Sequence, residues 1–180
     1  MTVAAYPATL VQAQYEQTYT AIDGTVPFPG GRLGDVSIDN CGGQWIFVKA
    51  AEALTAFSLC HITNASVQAG TWLAEMTEAT DIATGPKFLG INQVAIASGS
   101  YGWLWRGPGG GYNRGIKVRS ANMTAGALSF PLSGSAGVID DANVDEGVIA
   151  GLTTLTTTTT ETAVECQATT ILTCNLTETD

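Results

Sequence analysis

An all-β fold, a small sandwich or barrel of short antiparallel strands, is what this sequence predicts. Two patterns carry the prediction. Short apolar stretches alternate with a period of two, and Gly, Ser and Asn punctuate them at close spacing. The length of 180 residues, 45% of them hydrophobic, is enough for one real core without metal or disulfide staples.

Residues 1–40 differ from the rest. They hold Tyr6, Tyr15 and Tyr19, show little periodicity, and run into the breaker-rich "GTVPFPGGRLGD" around Phe28. A segment with aromatic anchors and no core of its own reads as an extended arm packing on something else, such as a neighbouring subunit. The alternative is a short helix over Leu10–Thr18 that caps the domain.

Residues 41–180 read as the β-rich domain. In "QWIFVK" (44–49), Trp45 and Phe47 face one way and Ile46 and Val48 the other, as in a strand buried on both sides. "TAFSLCHI" (55–62) sets Phe57, Leu59 and His61 against Ala56, Ser58 and Cys60. "FLGINQVAIA" (88–97) changes phase near Asn92 and Gln93, which predicts a β-bulge. Further strands are expected at 101–106, 115–120, 126–132, 147–156 and 162–176. The threonines at 156–160 suit a solvated strand or its connecting turn.

"SGSYGWLWRGPGGGYNRG" (98–115) resembles a phosphate cradle at first sight. The P-loop pattern is absent, and "GPGGGY" places Tyr112 where a dinucleotide-binding loop needs its third glycine. The glycines read as turn-formers and 98–120 as a hairpin with a long tip. Tyr101, Trp103 and Trp105 then share one strand face, as core or as a subunit contact.

Charge and composition narrow the function. A net charge of −9 argues against nucleic acid as a partner. No apolar run reaches the roughly 18–20 residues of a membrane-spanning helix, so no membrane partner is expected. The first residues lack a basic leader, which predicts an intracellular start and makes the sequons at Asn64, Asn122 and Asn175 chance matches. Cys41, Cys60, Cys166 and Cys174 form no C-x-x-C pair and are expected as buried free thiols.

No enzyme is expected, and no catalytic residue or cofactor. The single histidine, His61, ends an apolar strand, no G-x-S-x-G elbow is present, and neighbouring Cys60 should face the opposite way. Asp141, Asn143 and Asp145 are weak metal candidates. They begin a calcium-loop pattern that Glu146 and Leu152 break at its glycine and glutamate positions. A solvated acidic turn is the simpler reading.

The stretches "GGQWIFVKAAEALTAFSLCHI", "FLGINQVAIASGSYGWLWRGPGG", "GIKVRSANMTAGALSFPLSGSAGVIDD" and "GVIAGLTTLTTT" resemble, in this order, head decoration (capsid cement) proteins of tailed bacteriophages. The resemblance covers residues 42 to about 176, and "ASGSYGW" and "SAGVIDD" carry most of it. It implies a β-rich decoration domain on the outer capsid surface, bridging copies of the major capsid protein, commonly as a homotrimer assembled in the host cytoplasm. The N-terminal arm lies outside the match; from the residues themselves, Tyr6, Tyr15, Tyr19 and Phe28 are expected to bury against a neighbouring subunit or the capsid, and Arg106 and Arg114, flanking the glycine tip, to meet carboxylates of a partner. A tail or fibre subunit and a carbohydrate-binding β-sandwich using Trp103, Trp105 and Asp141 are the alternatives.

Overall fold

The computed structural model describes residues 9–10, 18–19, 33–39, 41–64, 72–82, 87–110, 115–132, 134–141 and 148–175. Within them the regular elements are β1 (Thr9–Leu10), β2 (Val36–Asp39), β3 (Gln44–Ala50), β4 (Leu59–Asn64), β5 (Trp72–Met76), the single-turn α1 (Ala79–Ile82), β6 (Lys87–Asn92) and β7 (Tyr101–Gly107). The chain continues through β8 (Gly109–Gly110), β9 (Lys117–Ser120), β10 (Phe130–Pro131), β11 (Ile139–Asp140), β12 (Val148–Ile149), β13 (Leu152–Thr154), β14 (Thr162–Ala168) and β15 (Thr173–Asn175). The fold is all-β, as the periodicity predicts.

Five strands close into a barrel. β3 pairs antiparallel with β7, β7 with β6, β6 with β4 and β4 with β5, and β5 returns to β3 in parallel, Lys49 opposite Leu73. A ring with an odd number of strands cannot alternate direction throughout, so one parallel pair is unavoidable. Two further parallel pairs, β1–β2 and β9–β11, also depart from the expected all-antiparallel arrangement.

The second sheet runs β10-β11-β9-β14-β13, with β8 also on β14. Alternation along each barrel strand then makes two cores. Ile46, Val48, Ala50, Cys60, Ile62, Ala74 and Leu104 fill the barrel. Trp45, Phe47, Leu59, Leu89, Ile91, Trp103 and Trp105 point outward and meet Ile116, Val118, Ile139, Leu152, Val164 and Cys166 of the second sheet. This explains why β3 is buried on both faces: one lines the barrel and the other the interlayer core.

Two expectations for the middle of the chain need correction. Residues 98–120 are not a hairpin. β7 lies between β3 and β6 in the barrel, whereas β9 pairs with β14 and β11 in the other sheet. The chain leaves the barrel through Gly107, at φ +73°, where a side chain would run into the Thr170 carbonyl. It joins β14 at Gly110, equally tight against the Cys166 carbonyl. Nor is there a bulge at Asn92 and Gln93. β6 ends at Asn92, and Ile96 bridges to Leu54 instead.

Side chains take over where β6 stops. Asn92 Oδ1 accepts from the Ser58 N–H (3.0 Å), while Nδ2 donates to the carbonyls of Thr55 (2.6 Å) and Val94 (2.8 Å). Gln93 mimics a strand: Nε2 donates to the Lys117 carbonyl and Oε1 accepts from the Lys117 N–H, both at 2.9 Å. That pair ties the barrel to the second sheet. The expected strand 55–62 begins only at Leu59, because Phe57 sits at φ +66°, outside the extended region.

The expected strands 147–156 and 162–176 are each split, the first by a turn at Ala150–Gly151 and the second between β14 and β15. Thr156 to Thr160 form the connecting turn, where buried Thr158 bonds the Ser120 hydroxyl and the Met123 N–H. Within the expected arm, β2 pairs antiparallel with β3, β1 pairs with β2, and Tyr19 bridges to Tyr101. The helix considered for Leu10–Thr18 lies, between its ends, outside the described residues.

Candidate functional site

Tyr6, Tyr15, Phe28, Arg114, Asn143 and Asp145 lie outside the described residues. Tyr19 is half-buried on its own barrel, its N–H donating to the Tyr101 carbonyl (2.9 Å) and its carbonyl accepting in return (2.8 Å). Its ring packs edge-on to Phe47 at 6.0 Å, and Phe47 lies 5.1 Å from Trp103 and 6.3 Å from Tyr101. Burial raises the Tyr19 phenol above its ordinary pKa. The stripe of Tyr101, Trp103 and Trp105 is therefore core at its tryptophans, which are 4% and 0% exposed.

His61 is buried on the outer face of β4, opposite Glu75 on β5. Its Nε2 lies 3.5 Å from Glu75 Oε2 and its Nδ1 3.7 Å from Asp81 Oδ2. The imidazole thus sits between two carboxylates, one on β5 and one on α1, with its Nδ1 buried and making no hydrogen bond. Cys60 faces the barrel interior on the other side of the same strand, so thiol and imidazole do not meet.

Burial pushes the Cys60 and Cys166 thiols far up, with the nearby charges of Glu52 and Glu165 adding to the shifts. Cys41 is exposed, contrary to the expectation that all four are buried. In a Cys174→Ser background, a thiol reagent at neutral pH is expected to label one cysteine, Cys41, in the folded protein and three after unfolding. Labelling of Cys60 or Cys166 in the folded state would contradict their burial.

Asp141 serves a turn: its Oδ2 accepts from the Thr124 N–H at 2.7 Å. Among the described residues no group of three or more His, Cys, Asp or Glu side chains is placed to hold a metal ion, and no helix is long and apolar enough to cross a membrane.

The remaining chemistry gathers at one end of the barrel. β3, β5 and β6 start there, and β4 and β7 finish there, as their pairing directions require. Arg106, near the end of β7, is half-buried, and its guanidinium lies 5.4 Å over the ring of Phe88, near the start of β6. Burial lowers the Arg106 pKa from its ordinary value, and its Nε is buried without a hydrogen-bond partner.

Phe88 is 53% exposed. Ile171, 38% exposed, adjoins Leu172, whose N–H donates to the Arg106 carbonyl at 2.7 Å. Val36 and Ile38, 52% and 48% exposed, share one face of β2, which pairs with the start of β3. Four of the five exposed large hydrophobic residues among those described therefore surround this end; Leu128 is the fifth.

The sequence singles out Arg106 as a candidate contact and does not single out Phe88, Ile171, Val36 or Ile38, which lie at the same end. Phe88, Val36 and Ile38 follow the strand alternation of buried residues, but Phe88 lies near the start of β6, at the barrel's end, and Val36 and Ile38 lie on β2, outside the five-strand ring. Comparison with known proteins finds no matching family model, no matching curated protein and no matching solved structure.

Proposed function

We propose that the chain is a structural protein of a tailed-phage virion, one that binds the outer capsid surface and bridges copies of the major capsid protein, as a homotrimer and without enzymatic activity. The observation that carries this reading is the N-terminal segment's mode of attachment. It holds to the barrel by backbone pairing, Thr9–Leu10 on β2 and Tyr19 on Tyr101. Edge pairing of this kind can be formed equally well within one subunit or between neighbours, which suits a protein that links copies of itself and of a shell.

The family resemblance supports the same reading, and its two most telling stretches fall at structural joints. "ASGSYGW" forms the turn into β7, and "SAGVIDD" leads into β11 past Gly137, whose N–H donates to the Thr77 carbonyl at 2.9 Å. The carbohydrate-binding alternative needs exposed tryptophan faces for stacking, and Trp103 and Trp105 are buried. Electron microscopy of virions with and without this chain tests the proposal, through density on the outer surface that comes and goes with the protein.

A further inference from the structure

We infer that the end of the barrel carrying Arg106 is a docking surface for a partner protein's loop that presents a carboxylate between aliphatic side chains. The carboxylate pairs with Arg106, and the flanking side chains cover Phe88, Ile171 and the Val36–Ile38 face of β2. This rests on the decoration reading only in naming the partner, the major capsid protein; the surface itself follows from the barrel.

The cation sets the partner's chemistry. Acidic residues outnumber basic ones 16 to 7 in this chain, and none of the ion pairs among the described residues involves Arg106. A guanidinium held half-buried, with Nε shut off from an acceptor and a lowered pKa, has given up hydration with no counter-charge in an ion pair among the described residues. An arriving carboxylate supplies that counter-charge in bidentate geometry, which a guanidinium fits better than an ammonium does. Arg119 shows the contrast, since its guanidinium is already engaged by Glu161 and the Ser58 hydroxyl.

The apolar residues set the partner's shape. Phe88 and Thr173 are register partners across β6 and β15, so their side chains share one face. Cys60 pairs with Gly90 and Ile62 with Phe88, which makes this face the continuation of the barrel lining past its closure. Val36, opposite Ile46 of the lining, continues it on the far side of β3. The surface thus sets exposed apolar side chains beside one half-buried cation. Such a pattern matches the desolvated centre of a protein interface, where an arginine and an aromatic ring do most of the binding.

The test compares Arg106→Glu, Phe88→Ser and, as a control remote from this end, Leu128→Ser in the full chain. Binding is measured to phage heads lacking the protein. Separately, amide NMR shifts are followed on adding the peptide acetyl-Leu-Asp-Leu-amide or its Asn counterpart. All three variants are expected to melt within a few degrees of the wild type, and Phe88→Ser carries the comparison if Arg106→Glu does not fold. Arg106→Glu should weaken head binding at least about thirtyfold and Phe88→Ser about tenfold, with Leu128→Ser unchanged. The Asp peptide alone should shift amides at 36–38, 88–89, 106–107 and 171–173.

Heads that bind the wild type, Arg106→Glu and Phe88→Ser equally would overturn the docking surface and leave the decoration reading standing. Heads that do not bind the wild type would overturn the decoration reading, and the peptide would then decide the surface: shifts confined to these residues uphold it, and none overturn it. A surface already occluded by a second copy in the free protein, seen as self-association that Phe88→Ser abolishes, would also overturn it.

Discussion

Trp105→Ala is expected to cost roughly 3–5 kcal/mol of folding stability, the range for truncating a large aromatic residue in a core. The ring is 0% exposed, lies opposite Trp45 on β3 and Ile91 on β6, and faces the second sheet. Its loss opens a cavity between two rigid layers, and neither can collapse into it without breaking strand pairing. For a chain of this size that cost is a fall in melting temperature of roughly 10 °C or more. Leu128→Ala, at a 59% exposed position, should stay within about 0.5 kcal/mol. Urea unfolding of both variants checks the pair, and equal midpoints would contradict the two-layer packing.

Asn92→Ala should also be damaging, at roughly 2–3 kcal/mol, although it removes no apolar surface. The side chain is fully buried and satisfies the Ser58 N–H and the carbonyls of Thr55 and Val94. Alanine strips the Val94 carbonyl of this donor and leaves the buried Ser58 N–H only its longer bond to the Thr55 carbonyl, at 3.3 Å, with about 1–3 kcal/mol lost for each group that water cannot reach. Asn92→Asp should not rescue, because an oxygen would then face both carbonyls where the amide now donates. A loss below about 1 kcal/mol on urea unfolding of Asn92→Ala would mean that the 55–58 loop is held by other contacts.

The contrast between these two residues shows how much could be read in advance. Trp45, Phe47, Trp103 and Trp105 alternate with Ile46, Val48 and Leu104, so burial on both faces of β3 was legible as periodicity. Asn92 interrupts the same kind of pattern. A phase change alone does not distinguish a bulge from a strand that ends and passes its hydrogen bonds to side chains. The supposed hairpin at 98–120 failed for a related reason. Two apolar strands flanking a glycine run look alike whether they pair with each other or, as here, with strands of different sheets. The missed β5 carries Trp72, Ala74 and Met76 on one face, but its five residues include Glu75, whose carboxylate lies 3.5 Å from His61 while remaining partly exposed.

Of the expected contact residues, Arg106 was recognisable from its charge beside an aromatic stripe. What the sequence left hidden was the set of apolar side chains beside it, because Val36, Ile38 and Phe88 have the spacing of core residues. Their exposure depends on which strands pair to close the barrel and which, like β2, stay outside it, a property of strand pairing and register that no local pattern records. Tyr19 was legible as an aromatic anchor, whereas its partner, Tyr101 of the same chain, was not.

A subunit-resolution electron-microscopy map of virions, compared with particles lacking the protein, decides whether this chain sits on the outside of a phage capsid as proposed. Outer-surface density fitting the barrel and its second sheet in three copies is expected, with the Arg106 end of each barrel turned toward the major capsid protein. Identical capsid surfaces in the two maps, or this fold found in the tail or fibres instead, would contradict the proposal.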